Sequence, residues 1–243
     1  MKSLVRRLLF LSIVTCLAAA GARRAAAQSG DFLISQHGVK VGTASFNFAA
    51  VPDGYDSTSL VRIDMQGFTY ALSKTEKLDA ANHLTHVLLS GLVNGSAVTV
   101  TGAPDSAQIL LNISANGHSS TTRLDPHPGA VFLPDFDAGA LETLLAMAVT
   151  QNNRGLWAIL PKGVGTIVPV QLATYADEQG TLDGKPVTVH HLIAAIAGSS
   201  TDLFSGPDNQ LFQAELPEAG FALVRKGFVL TPPAKPGAPP PPQ

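Results

Sequence analysis

The segment Thr58-Ser-Leu-Val-Arg-Ile-Asp-Met-Gln-Gly-Phe-Thr-Tyr-Ala-Leu72 changes character at every second residue. Val61, Ile63 and Met65 fall on one side of an extended chain, and Arg62, Asp64 and Gln66 on the other. Phe68, Tyr70 and Leu72 continue the same period. Successive side chains of a strand point to opposite faces, so this pattern predicts a sheet with one apolar and one polar face. The stretch on its N-terminal side agrees: Ala44, Phe46 and Phe48 share a face opposite Ser45 and Asn47. Leu84–Val93, Ala97–Thr101, Gln108–Ser114 and Ser119–Leu124 read as further strands.

Turn chemistry separates these runs. His37-Gly38, Asp53-Gly54, Asn94-Gly95, Asn116-Gly117 and Asp183-Gly184 stand between them. Asx-Gly pairs favour the type I′ turn of a two-residue hairpin, because both central residues must accept positive φ. One helix interrupts the pattern. Leu141, Leu144, Leu145, Ala148 and Val149 form an apolar stripe at helical spacing. Asp137 or Gly139 is placed to cap its start, Glu142 puts negative charge in the first turn, and Asn152-Asn153-Arg154-Gly155 is a fitting stop. Beyond it, Leu156–Leu160, Thr166–Tyr175, Lys185–Ile196, Gln210–Leu216 and Phe221–Leu230 are expected strands. The expected fold is mainly β: about a dozen strands in a strongly curved antiparallel sheet or open half-barrel around one central helix. A two-sheet β-sandwich is the alternative.

The two ends of the chain read differently. Lys2, Arg6 and Arg7 precede an apolar run from Leu8 to Ala20, and Ala25-Ala26-Ala27 gives a small-residue cleavage site. Residues 1–27 are therefore expected to be a signal peptide, cut between Ala27 and Gln28. The run is too short to span a bilayer, so no transmembrane span is expected in the mature chain. Cys16, the only cysteine, leaves with this segment, which excludes disulfides and a thiol nucleophile. The expected location is periplasmic or secreted. Residues 28–230 carry no internal linker and are expected to form one domain; residues 231–243 are a Pro-rich tail unable to bury a core. The first 27 residues hold five of the 16 Lys and Arg and none of the 18 Asp and Glu. The remainder thus has 11 basic against 18 acidic residues, a net charge of −7. Without a basic cluster, nucleic acid is not expected as a partner.

Phe32-Leu-Ile-Ser-Gln-His-Gly-Val-Lys-Val-Gly-Thr-Ala-Ser-Phe46 resembles the first hairpin of uncharacterised bacterial periplasmic domains with a G-x-x-V-G-x-A signature. Gly180-Thr-Leu-Asp-Gly-Lys-Pro-Val187 resembles their later G-x-x-x-G-x-P-V hairpin. Those domains are similar in plan to the lipoprotein-carrier group, whose curved sheet wraps a helix as an open half-barrel. The resemblance implies an apolar cleft able to hold acyl chains and transfers no catalytic residue.

No catalytic constellation appears. There is no Gly-x-Ser-x-Gly elbow. His83-x-x-His86 and His190-His191 split across the faces of a strand, so no metal centre is expected. Asp135 and Asp137 could do acid–base work, but capping the helix explains them more simply. No cofactor is expected. The apolar side chains Phe46, Phe48, Leu88, Leu92, Leu144 and Trp157 are expected to line a cleft between sheet and helix. The resulting expectation is a non-enzymatic exported protein that binds a lipid or other apolar ligand. Its competitors are an envelope domain binding protein or glycan, and an unrecognised hydrolase.

Overall fold

A computed structural model describes residues 28–232. The expected signal peptide, with Cys16 and Ala27, and the tail from residue 233 onward lie outside them.

The alternating segments build a long antiparallel meander. β1 (Gln28–Gln36), β2 (Val39–Val51), β3 (Gly54–Met65), β4 (Phe68–Asp79), β5 (Leu84–Val93), β6 (Ser96–Asp105), β7 (Gln108–Ala115) and β8 (His118–Leu124) each pair with the next. β9 (Gly129–Phe132) then leads into the helix α1 (Ala138–Thr150), and β10 (Leu156–Leu160) returns parallel to β9. β11 (Thr166–Thr174), β12 (Glu178–Leu182), β13 (Lys185–Ile196), β14 (Ser199–Ser205), β15 (Leu211–Leu216), β16 (Phe221–Arg225) and β17 (Phe228–Leu230) complete the chain. β16 pairs with β1, so the two halves join into one sheet running from β8 through β1 and β16 to β9.

The right-handed twist of each strand accumulates across so many strands, and an open sheet this wide must curl. Register shifts at Ile34/Ser35, Lys77/Leu78 and Phe204/Ser205 add local bending. The sheet stays open: among the described residues β8 and β9 share no ladder. The loop after β10 bridges its two ends, where Thr122 Oγ1 donates to the Val164 carbonyl. Gly42, from the first-hairpin signature, lies where β2 and β3 approach closely; a Cβ there would come within 2.2 Å of the Arg62 carbonyl oxygen.

α1 fills the concavity. Every residue from Ala138 to Leu145 is buried, as are Met147 and Ala148. The helix is therefore enclosed nearly all round, not packed by one stripe as its spacing predicts. Val149, expected on that stripe, is 60 % exposed at the last turn. Gly139 admits this close packing: a Cβ would approach the Phe46 Cβ to 2.9 Å. The helix stops where predicted, with Asn152, Asn153 and Gly155 at positive φ.

Other departures have local causes. Asp53-Gly54 is not a type I′ turn; the turn residues are Pro52 and Asp53, and proline cannot take positive φ. The other four dipeptides do have positive φ at both positions. Among the described residues the strands number seventeen, because short β9, β12 and β17 and the polar β14 lack a clear alternation. β13 is shared: Lys185–Val189 pairs with β12, and Leu192–Ile196 with β11. The ribbon of β12 and β17 covers the outer face of β14–β16, where Val189, Phe204, Phe212 and Phe228 form a second small core. Phe204 faces that core while neighbouring Leu203 faces the main one.

Candidate functional site

The inner face of β4 presents Tyr70, Leu72, Lys74, Glu76 and Leu78 in sequence, all buried. Pairing places Ser59 opposite Lys74 and Ser57 opposite Glu76. A polar block thus sits in the middle of the concave face, and α1 starts above it. Lys74 Nζ lies 2.9 Å from Glu76 Oε2 and 2.9 Å from Asp137 Oδ2. Ser59 Oγ donates to Asp137 Oδ2 at 2.9 Å, while Asp137 Oδ1 accepts from the Ala140 N–H and caps α1. Asp137 thereby ties the helix start to β3 and β4.

The Lys74 contacts are ion pairs at the centre of the block, and the buried Ser57 Oγ has no hydrogen-bond partner among the described residues. Burial by itself pushes the Lys74 ammonium down, but Asp137, and then Glu76, outweigh it and hold it above the ordinary lysine value. Burial, with a smaller push from the Asp137 charge, raises the Glu76 carboxyl above its ordinary value against the lowering effect of Lys74.

Phe136 separates the two aspartates by turning the backbone. Its φ of 59° is unusual for a bulky side chain. Its ring is held edge-on to Tyr70 and Phe221, with centroids 5.9 and 4.8 Å away. Asp137 turns into the ionic block. Asp135 instead accepts the Tyr70 hydroxyl on its carbonyl at 3.2 Å and pairs its carboxylate with Lys162 Nζ at 2.9 Å. Burial, then the Asp135 and Asp137 charges, raise the Tyr70 phenol above its ordinary value, so it remains a donor.

Beside Tyr70 and Leu72 a cleft of about 490 Å³ opens at one end of the curved sheet. Leu89, Val98, Val100 and Ile113 supply apolar walls from β5, β6 and β7. The loops after β9 and β10 close the other side with Leu133–Asp135 and Leu160–Gly163. A smaller cavity of about 170 Å³ lies beside Phe48, Tyr55, Glu142 and Thr143.

Glu142 is not the first-turn surface charge its position suggests. It is buried, and its Oε2 accepts from the Leu211 N–H at 2.8 Å while Oε1 accepts from Gln28 Nε2. Burial pushes its carboxyl up to about 7, against the lowering effects of the Leu211 N–H, Arg225 and Gln28. The folded chain thus binds this proton more tightly than the unfolded chain, whose ordinary value is 4.5. The associated stability is complete below about pH 4.5 and is lost as pH rises through about 7. Between pH 5 and 8 the native chain should lose on the order of 3 kcal/mol from this group. Glu142→Gln should flatten that part of the profile, as measured by urea unfolding at stepped pH. Parallel profiles for the two proteins would refute it.

The expected cleft residues do not come together. Phe46 and Leu144 are in the packed core, and Phe48 borders the smaller cavity. Trp157 is partly buried and stacks on His127 at 3.6 Å between centroids. Leu88 and Leu92 are 38 % and 50 % exposed on the outer face. Counting by two from buried Leu84 puts both inside. However, the register shift opposite Lys77/Leu78 inserts one residue and turns Val87 and Leu89 inward instead. Three histidines pair with carboxylates: His83 with Asp79 at 2.9 Å, His190 with Asp177 at 2.8 Å, and His191 with Glu178 and Asp202 at 3.1 and 2.9 Å.

No family model, curated protein or solved structure matches this chain.

Proposed function

We propose that this chain is an exported, non-enzymatic protein that binds a lipid or other apolar ligand in the cleft at the end of its curved sheet. The observation that carries the reading is the cleft itself: about 490 Å³, walled by Leu72, Leu89, Val98, Val100 and Ile113 and open at the rim. Ligand sites are typically concave, mostly apolar, and of about 300–1,000 Å³. The plan implied by the first-hairpin resemblance, a curved open sheet around a helix, supports the same reading. The helix fills the middle of the concavity, which leaves the end as the place for a ligand. The basic and apolar run of residues 1–20 supports export to the periplasm or beyond.

A dansyl-labelled fatty acid should bind the full chain with micromolar affinity, read by fluorescence titration. Val98 faces the cleft and is only partly buried, so Val98→Trp should fill the space and weaken binding by at least about tenfold. The thermal midpoint should move by no more than a few degrees. Equal titrations for the two proteins, or none for either, would remove the cleft as the site.

A further inference from the structure

We propose that the cleft takes a zwitterionic amphiphile with a single acyl chain, the chemistry of a lysophospholipid, and that Lys162 and Asp135 read its headgroup. This rests on the apolar-ligand reading above and names the ligand class.

Volume admits an acyl chain. A methylene fills about the space of a water molecule in the liquid, about 30 Å³, and a cleft of about 490 Å³ has room for one full-length chain. Polarity sets the direction of entry. Leu72, Leu89, Val100 and Ile113 are all buried and make an apolar floor. The rim carries Lys162 and Asp135, with side chains 71 % and 41 % exposed, and the turn residue Asn116.

Charge sets the headgroup. Lys162 and Asp135 are opposite in sign and 2.9 Å apart, so the rim is neutral as a pair and dipolar in detail. A fatty-acid carboxylate pairing with Lys162 would face the Asp135 carboxylate at short range, and like charges there oppose binding. An uncharged ligand leaves the ion pair as it was and gains nothing from it. A zwitterion offers its phosphate to Lys162 and its ammonium to Asp135, so both rim charges keep an opposite partner. Asp135 is held for this role, because its carbonyl accepts the Tyr70 hydroxyl and Phe136 fixes the turn beside it.

The test is displacement of the dansyl fatty acid from the full chain by lysophosphatidylethanolamine, below its critical micelle concentration. The competitors are an unlabelled fatty acid of the same chain length and vesicles of diacylphosphatidylethanolamine. The lysolipid should displace the probe at a concentration about tenfold lower than the fatty acid, the factor that one added charge-assisted contact supplies. Lys162→Glu should abolish that preference. Asp135→Asn, which keeps the Tyr70 contact, should reverse it in favour of the fatty acid. Equal displacement by both competitors, with neither variant changing the order, would overturn the headgroup assignment while leaving an apolar site. Displacement by the diacyl vesicles at matched lipid concentration would overturn the single-chain assignment. Absence of probe binding altogether would overturn the underlying reading as well.

Discussion

Replacing Lys74 with methionine should destabilise the fold by about 3–5 kcal/mol, the usual cost of removing one partner from a buried ion pair. Lys74 is 1 % exposed, and its ammonium is the only cation within ion-pair distance of Asp137 or Glu76 among the described residues. Methionine keeps the length of the side chain and much of its packing, so the loss isolates the charge. Two carboxylates would then share a dry site with Ser57 and Ser59. One of them, Asp137, also caps α1, so loss of its counter-charge would weaken the helix start. Urea unfolding should show the loss as a lower midpoint with an unchanged slope. Adding Glu76→Leu and Asp137→Ser to Lys74→Met should recover most of it, because an apolar block replaces a buried ionic one at little cost. The serine retains a cap. A single variant as stable as the native chain would mean that the cluster is hydrated enough to behave like a surface pair.

Leu144→Asp should prevent folding altogether, not merely empty a binding site. Leu144 is 0 % exposed in the main core, on a helix enclosed nearly all round. Truncation to alanine should already cost about 2–5 kcal/mol through the cavity it leaves. A carboxylate at the same place adds an unpaired buried charge, and that cost approaches the whole stability of an ordinary domain. Circular dichroism should show Leu144→Asp without the native sheet signal and Leu144→Ala folded with a lowered midpoint. A folded Leu144→Asp protein would require a polar environment around the middle of α1.

The period of two along Thr58–Leu72 predicts the two strands that carry the ionic block, and the curled sheet with one helix follows from strand number and spacing. The cleft was less legible. Inner and outer faces of β5 depend on one inserted residue opposite Lys77/Leu78, and that change of phase is hidden because both faces carry apolar residues, Val87 and Leu89 against Leu88 and Leu92. Leu88 and Leu92 were misplaced for that reason. The ionic block did leave a signal: Lys74 and Glu76 stand on the same alternating face as Tyr70, Leu72 and Leu78. Two charges inside an apolar period point to a buried partner. That the partner is Asp137 depends on the turn at Phe136 and on the helix threading the concavity, which no local pattern encodes. Glu142 looks like a helix-start charge in sequence because its buried partner, the Leu211 N–H, lies far along the chain.

β1 lies between β2, its neighbour in sequence, and β16, near the end of the described chain, with Phe32 opposite Arg225 and Gln36 opposite Phe221. The first of the described strands therefore waits for almost the last of them. Until β16 arrives, the meander can assemble hairpin by hairpin, but its inner strand remains an open edge with a row of unpaired N–H and C=O groups. Such long-range pairing costs loop-closure entropy before it gains contacts, which places this topology at the slow end of folding rates. The join between β1 and β16 thus sets the period during which an incomplete copy can pair with another chain instead of with itself.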